Sequence, residues 1–231
     1  MRTIGMLGGM SCESSALYYQ LTNQLVRERL GGLHSARCLL YSLDFAEVEH
    51  LQVAGRWRQA GELLAGAALS LQGAGAELLV LCTNTMHRVA DQVQAAVRIP
   101  LLHIGDATAD AVRRAGLATV GLLGTAFTME QRFYRDRLAG HGLTVLTPPA
   151  ADRALVHRVI YDELCRGAIS EQSRTAYRRV IAGLVDAGAE GIVLACTEIE
   201  LLIGQADSPV PVFPTTRLHV AAAVDHALAA T

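Results

Sequence analysis

The sequence predicts an α/β protein built from two duplicated lobes, each with a mainly parallel sheet and helices on its faces, and a ligand cleft between the lobes. Three observations carry this reading. Short apolar runs alternate with longer amphipathic stretches along all 231 residues. Three sequence blocks recur in the same order, with a period on the order of 110 residues, too long for a solenoid. Apolar residues make up 51% of the chain and charged residues 18%, which fills real cores and excludes disorder.

In chain order, Thr3–Leu7, Arg37–Leu43, Glu77–Cys82 and Leu101–Ile104 read as buried strands of the first lobe. Thr119–Leu123, Leu143–Leu146, Gly191–Cys196 and Val210–Phe213 read as their counterparts in the second. Helical patterns lie between them. Ser14–Leu30 stops at Gly31-Gly32, Arg56–Gln72 at Gly73, and Met86–Val97 short of Pro100. Arg153–Arg166 and Ser173–Asp186 each run into a glycine turn, and Thr216–Ala229 closes the chain. That last helix is expected to pack back on the first lobe. The expected division is therefore 1–116 plus 216–231 for the N-terminal lobe and 117–215 for the C-terminal lobe.

The repeat is visible residue by residue. Thr3-Ile-Gly-Met-Leu-Gly parallels Thr119-Val-Gly-Leu-Leu-Gly, and Pro100-Leu-Leu-His parallels Pro211-Val-Phe-Pro. Ala74-Gly-Ala-Glu-Leu-Leu-Val-Leu-Cys-Thr parallels Ala187-Gly-Ala-Glu-Gly-Ile-Val-Leu-Ala-Cys-Thr, with one residue inserted.

Composition removes several function classes. Twenty basic residues against 22 acidic ones give a net charge of −2, which speaks against nucleic acid as a partner. An aromatic content of 5% speaks against a base-stacking surface. Every basic residue is Arg, so no lysine exists for a pyridoxal-phosphate Schiff base, a Schiff-base aldolase or a Walker-type phosphate loop. The five cysteines are odd in number and form no C-x-x-C pair, so neither a disulfide framework nor a structural zinc site is expected. Eight histidines without an H-E-x-x-H pattern give no case for a metal. No apolar run reaches membrane-spanning length and the N-terminus does not resemble a signal peptide, so the expectation is a reduced, cytoplasmic, soluble protein.

The repeat places Cys82 and Cys196 at equivalent positions, each ending a strand, followed by Thr, and preceding a helix. The C-terminal edge of a parallel sheet is where such folds bind ligands. A thiol there faces the positive end of the next helix, which favours thiolate. Two thiols from opposite sides of one pocket suit removal of a proton from one face of a carbon and its return to the other. Alternatively, both are small buried apolar residues. Thr83, Asn84 and Thr85 after Cys82, and Thr197 and Glu198 after Cys196, offer hydroxyls, an amide and helix-start N–H groups to a substrate carboxylate, or serve as ordinary caps. Gly8-Gly9-Met10-Ser11 is a second candidate anion loop, though not a dinucleotide fingerprint. His87 lies five residues past Cys82 and reads equally as a tuner of the thiol or a core histidine. Cys12, Cys38 and Cys165 have no repeat partner and read as packing residues, with Cys12 beside the glycine loop.

With both cysteine motifs in hand, Ile4-Gly-Met-Leu-Gly-Gly-Met-Ser, Cys82-Thr-Asn-Thr-Met-His and Ala195-Cys-Thr-Glu-Ile resemble the aspartate/glutamate racemase family. Leu30-Gly-Gly-Leu-His-Ser-Ala-Arg, Gly124-Thr-Ala-Phe-Thr-Met-Glu-Gln and Tyr161-Asp-Glu-Leu-Cys resemble its broad-specificity amino-acid racemase branch. The resemblance spans nearly the whole chain. It implies two Rossmann-like lobes, commonly a homodimer, and cofactor-independent racemisation of an amino acid by two thiols. Cys82 and Cys196 match the catalytic pair. Met10, Gln52, Thr83, Asn84 and Thr85 match positions lining the substrate site, to which Ser11, Thr197 and Glu198 are added from the residues themselves.

Two departures bear on substrate. Cys165 stands where aspartate-specific members carry a lysine for the distal carboxylate, and Cys38–Val53 holds Asp44, Glu47 and Glu49 but no Arg. Neutral or basic amino acids are therefore expected over acidic ones. The final D-T-T-like motif reads Pro214-Thr-Thr, which removes residues after 213 from the expected site. The alternatives are an aspartate/glutamate racemase, a thiol-dependent isomerase or decarboxylase of the same superfamily, and a non-catalytic amino-acid-binding protein.

Overall fold

The structure is a computed structural model that describes residues 1–229. Its contacts divide the chain at 104/105 and 218/219 into two compact units.

The first unit opens with β1 (Ile4–Gly8), α1 (Cys12–Leu30), β2 (Cys38–Ser42), α2 (Phe45–Val53), α3 (Trp57–Gly73) and β3 (Leu78–Leu81). A 3-10 turn at Thr85–Val89, α4 (Ala90–Ala96) and β4 (Leu101–Leu102) follow, and α5 (Ile104–Arg114) leads into the second unit. The strands form one parallel sheet in the order β2-β1-β3-β4. The central strands β1 and β3 are buried throughout, as continuous apolar runs require.

The second unit holds β5 (Thr119–Gly124), α6 (Ala126–Glu130), α7 (Arg132–Gly140), β6 (Thr144–Leu146), α8 (Ala150–Asp162), α9 (Glu171–Asp186), β7 (Gly191–Ala195), α10 (Ile199–Leu202), β8 (Val212–Pro214) and the start of α11 (Thr215–Leu228). Its parallel sheet runs β6-β5-β7-β8, the same order as the first once each strand is matched to its repeat. Pro214 sits at the end of edge strand β8, where a missing N–H costs no ladder bond.

Period-2 alternation sorts the first sheet's side chains to two faces. Ile4, Met6, Leu78 and Val80 pack with Tyr18 and Val26 of α1 and with Val220 and Val224 of α11. Leu7, Leu79 and Leu81 pack with Leu64, Ala67 and Ala68 of α3 and Val93 of α4. In the second unit, Leu123, Ile192 and Leu194 pack with Val156 and Ile160 of α8 and Val180 and Ile181 of α9.

All eight expected strands form, each within a residue or two of its expected span. Two expected helices are broken. Met86–Val97 divides into the 3-10 turn and α4, and Arg153–Arg166 ends at Asp162 with a separate 3-10 turn, Leu164–Arg166. The expectation named no helix at α2, α5, α6, α7 or α10. Most of these are short and depend on local caps: Asp44 accepts the Ala46 N–H at the start of α2, and Thr125 accepts the Thr128 N–H at the start of α6.

Candidate active site

In the first unit the sheet delivers Cys82 one residue beyond β3, where its N–H still donates to Leu7 O at 2.9 Å. The Ser14 hydroxyl donates to the Cys82 carbonyl at 2.7 Å, so the cysteine backbone is held from two sides. The thiol is fully buried. Asn84 and Thr85 are buried beside it in sequence, and Thr83 is half-buried. Gln52, on α2, is buried with its amide 3.0 Å from the Met86 sulfur, and Met10 and Met86 share one core cluster. The unit therefore gathers Met10, Ser11, Gln52, Cys82, Thr83, Asn84 and Thr85 at one end of its sheet.

The glycine loop is shaped by contact with the segment after β2. Gly9 has φ +85°, and a Cβ there would lie 2.1 Å from the Leu43 carbonyl oxygen, so only glycine fits. Its N–H donates to Ser15 Oγ at 2.7 Å, and Ser11 Oγ accepts the Ser14 N–H at 3.2 Å. These groups cap α1 within the loop itself.

His87 explains the broken helix. In an α-helix its own N–H would reach Thr83 O. Instead the imidazole Nδ1 lies 2.8 Å from Thr83 O, and the His87 N–H donates to Asn84 O, which tightens the turn to 3-10. The Ile104 N–H donates to His87 Nε2 at 3.2 Å, so Nε2 carries no proton and Nδ1 does. Burial, then the neighbouring His103 and His219 rings, hold the His87 pKa well below the usual imidazole range, so the ring is neutral.

In the second unit Cys196 follows β7 directly and is 7% exposed. Its Sγ donates to Glu198 Oε2 at 3.0 Å, and Glu198 is itself buried. Thr215 donates to Leu194 O at 2.9 Å and Thr216 to the Thr197 hydroxyl at 3.3 Å, so the Pro214-Thr-Thr segment braces the cysteine turn. Arg217 faces the Glu200 carboxylate at 3.3 Å.

Burial acts against the thiolate expected at a helix start. Burial pushes the Cys82 thiol far above its usual range. Burial, then the Glu198 charge, do the same to Cys196. The compensating dipole is weak because each cysteine is followed by a tight turn and, after Cys196, by the four-residue α10, not by a long helix. Cys165 lies close enough to Cys196 to act on it electrostatically. Cys12 is exposed at the start of α1, and Cys38 is half-buried on β2.

Sequence reasoning left the role of His87 open and passed over Thr215 and Thr216. His87 was visible but ambiguous, because five residues of separation carry no geometric signal. Thr215 and Thr216 were set aside with the altered motif, although their hydroxyls reach β7 and Thr197. Among the described residues no group of His, Cys, Asp or Glu side chains is placed to hold a metal ion, and no helix is long and apolar enough to cross a membrane.

Comparison with known proteins places this geometry. The chain is 55% identical to a candidate Asp/Glu racemase of known structure from Yersinia pestis, with a TM-score of 0.94 over 99% of this chain and 100% of the other. It is 33% identical to an aspartate racemase homologue from Pyrococcus horikoshii OT3, with a TM-score of 0.87 over 98% and 99% of the two chains. The broad specificity amino-acid racemase RacX of Bacillus subtilis is 25% identical over 153 residues, a match that spans 64% of each protein. The model of the Asp/Glu/Hydantoin racemase family matches residues 7–223. A chain matched over almost its whole length, with two like sheets each ending in a buried cysteine, belongs to the Asp/Glu/Hydantoin racemase family.

Proposed function

We propose that this protein is a cofactor-independent amino-acid racemase in which Cys82 and Cys196 exchange the α-proton of the substrate. The observation that carries the proposal is the duplication itself: two parallel sheets of one strand order, in each of which the third strand is followed directly by a buried cysteine and then Thr. One thiol alone serves a decarboxylase or a nucleophilic isomerase. Inversion at Cα needs a proton acceptor on one face and a donor on the other.

The chemistry is demanding because the α-proton is very weakly acidic. Stabilisation of the carbanion falls to fixed donors on the substrate carboxylate, for which Thr83, Asn84, Thr85 and Thr197 are the candidates. The buried thiols are suited to donation, since they hold their protons. The acceptor thiolate has to form in the loaded site, where the substrate's ammonium group offsets its charge.

The proposed substrates are neutral or basic amino acids. Asp44 caps α2 and Glu47 is exposed, so neither supports that choice. Support comes from the second unit: Cys165, which is not a cation, neighbours Cys196, and the larger of the charges acting on Cys196 is the Glu198 carboxylate. A second substrate carboxylate placed there costs about 2–4 kcal/mol at an effective dielectric of about 20, roughly a 30-fold or greater penalty. Proton NMR of an amino-acid panel in D₂O tests the function and the class together. Loss of the α-proton signal is expected, fastest for homoserine, arginine or lysine. No exchange from any amino acid refutes the racemase, and aspartate or glutamate as the best substrate refutes the charge argument alone.

A further inference from the structure

We propose that His157 is a positioning residue for the Cys196 strand end: as a neutral imidazole it pins the neighbouring β5–α6 turn, and on protonation it lets that turn go and slows racemisation. The proposal rests on the racemase reading above. Gly124, the last residue of β5, pairs with Ala195, the last of β7, so the β5–α6 turn starts beside Cys196. A Cβ on Gly124 would lie 2.9 Å from the Ala195 carbonyl oxygen, so the two segments pack with no room between them. The Ala126 N–H, at the start of α6, donates to His157 Nδ1 at 3.2 Å, across 31 positions of the chain. The imidazole comes from α8 and is half-buried, with the Phe127 ring edge-on at 6.3 Å and the Tyr161 ring at 4.7 Å.

That bond fixes the tautomer. A ring nitrogen that accepts carries no proton, so Nε2 holds the hydrogen. Protonation puts a second N–H on the ring, facing the Ala126 N–H. Two donors cannot share one hydrogen bond, so the ring turns away or the turn withdraws. Burial lowers the His157 pKa, against the pull of Glu130 on α6 and Asp162 on α8, whose carboxylates favour the charged ring. Arg153, also on α8, is tied to the Glu130 carboxylate at 3.0 Å. The ring is therefore neutral at neutral pH and gains its proton as the solution turns acid. The first unit holds its matching turn by other means. There Ser15 Oγ accepts the Gly9 N–H at 2.7 Å and the Leu43 N–H donates to Gly8 O at 3.0 Å, and neither group titrates.

Two variants separate the pin from packing alone. In His157→Asn the amide oxygen stands in for Nδ1 as an acceptor that does not titrate. In His157→Ala the acceptor is gone at every pH. Racemisation of the best substrate is followed for both variants and for the wild type. Dividing the wild-type kcat by that of His157→Asn at each pH removes what the thiols and the substrate contribute. That ratio is expected to be flat above about pH 7 and to fall by at least about threefold by about pH 5, with KM changed by less than about twofold. At neutral pH His157→Ala is expected to lose about tenfold in kcat, and His157→Asn to recover most of that loss. A ratio that stays flat in acid, or a His157→Ala variant with wild-type kcat, overturns the role of His157 and leaves the racemase reading standing. The pin is also read without turnover. In two-dimensional amide NMR the Ala126 signal is expected to move with the His157 titration in the wild type and to stay still in His157→Asn. An Ala126 signal that ignores acid in the wild type overturns the proposal. A protein that exchanges the α-proton of no amino acid overturns the racemase reading, and the catalytic part of this inference with it, whatever the Ala126 signal does.

Discussion

The two lobes start alike and finish differently. Both build the same four-strand order, and in both the third strand is followed by a buried cysteine and then Thr. After β1 the chain turns through Gly9 at φ +85°, whereas after β5 the matching residue is Thr125, an extended helix cap at φ −64°. After Cys82 a histidine ring holds the turn, and after Cys196 the thiol bonds a carboxylate. Sheet order and the buried cysteine are common to both lobes. What surrounds each thiol differs: a neutral imidazole on one side and a carboxylate on the other.

That contrast can be broken at the glycine loop first. Gly9→Ala combines a positive φ with a backbone clash against Leu43, and is expected to cost about 3–5 kcal/mol, read as a lower urea midpoint. The matching change in the second lobe, Thr125→Gly, removes only a cap and is expected to cost a few tenths of a kcal/mol, or about 1 kcal/mol at most. Comparable losses at the two sites would erase the distinction.

His87 offers the next largest effect. His87→Ala leaves the Thr83 carbonyl and the Ile104 N–H without this partner, and is expected to destabilise the protein by about 3 kcal/mol. Because the folded ring is neutral while an unfolded histidine titrates near pH 6.5, folding opposes protonation at this site. His87 therefore weakens the protein progressively as pH falls below about 6.5, and His87→Asn should reduce that acid sensitivity. An unchanged acid slope would count against a neutral, doubly bonded ring.

The thiols give a smaller effect at the other end of the pH scale. An unfolded cysteine ionises near pH 8.5, while the buried Cys82 and Cys196 stay protonated well beyond it. Their contribution is complete below about pH 8.5 and is lost as pH rises above it, at about 1.4 kcal/mol per pH unit for each thiol. Cys82→Ala should flatten the alkaline slope of stability by one such increment. A slope identical to the wild type would mean that the thiol ionises in the folded protein.

The duplicated sheets were legible because buried parallel strands are short, apolar and bounded by glycine, as in Thr119–Leu123 and Gly191–Cys196. The paired cysteines were legible because the repeat aligns them. The small helices were not. Phe45–Val53 and Ala126–Glu130 lack a long apolar stripe and rely on Asp44 and Thr125. The strand–cysteine–helix pattern suggests a favourable dipole at each thiol, whereas the burial that opposes it comes from the packed fold. Thr216 and Thr197 lie nineteen positions apart, and only the fold brings their hydroxyls together.

The central claim is that one reaction needs both thiols. Its most direct test follows optical rotation of the best amino-acid substrate with Cys82→Ala and Cys196→Ala, each shown to be folded by its circular dichroism. Each single variant is expected to lose racemisation by about 1,000-fold or more, while Cys12→Ala retains it. Racemisation to zero rotation by either single variant, at a rate within about tenfold of wild type, would contradict the two-thiol account.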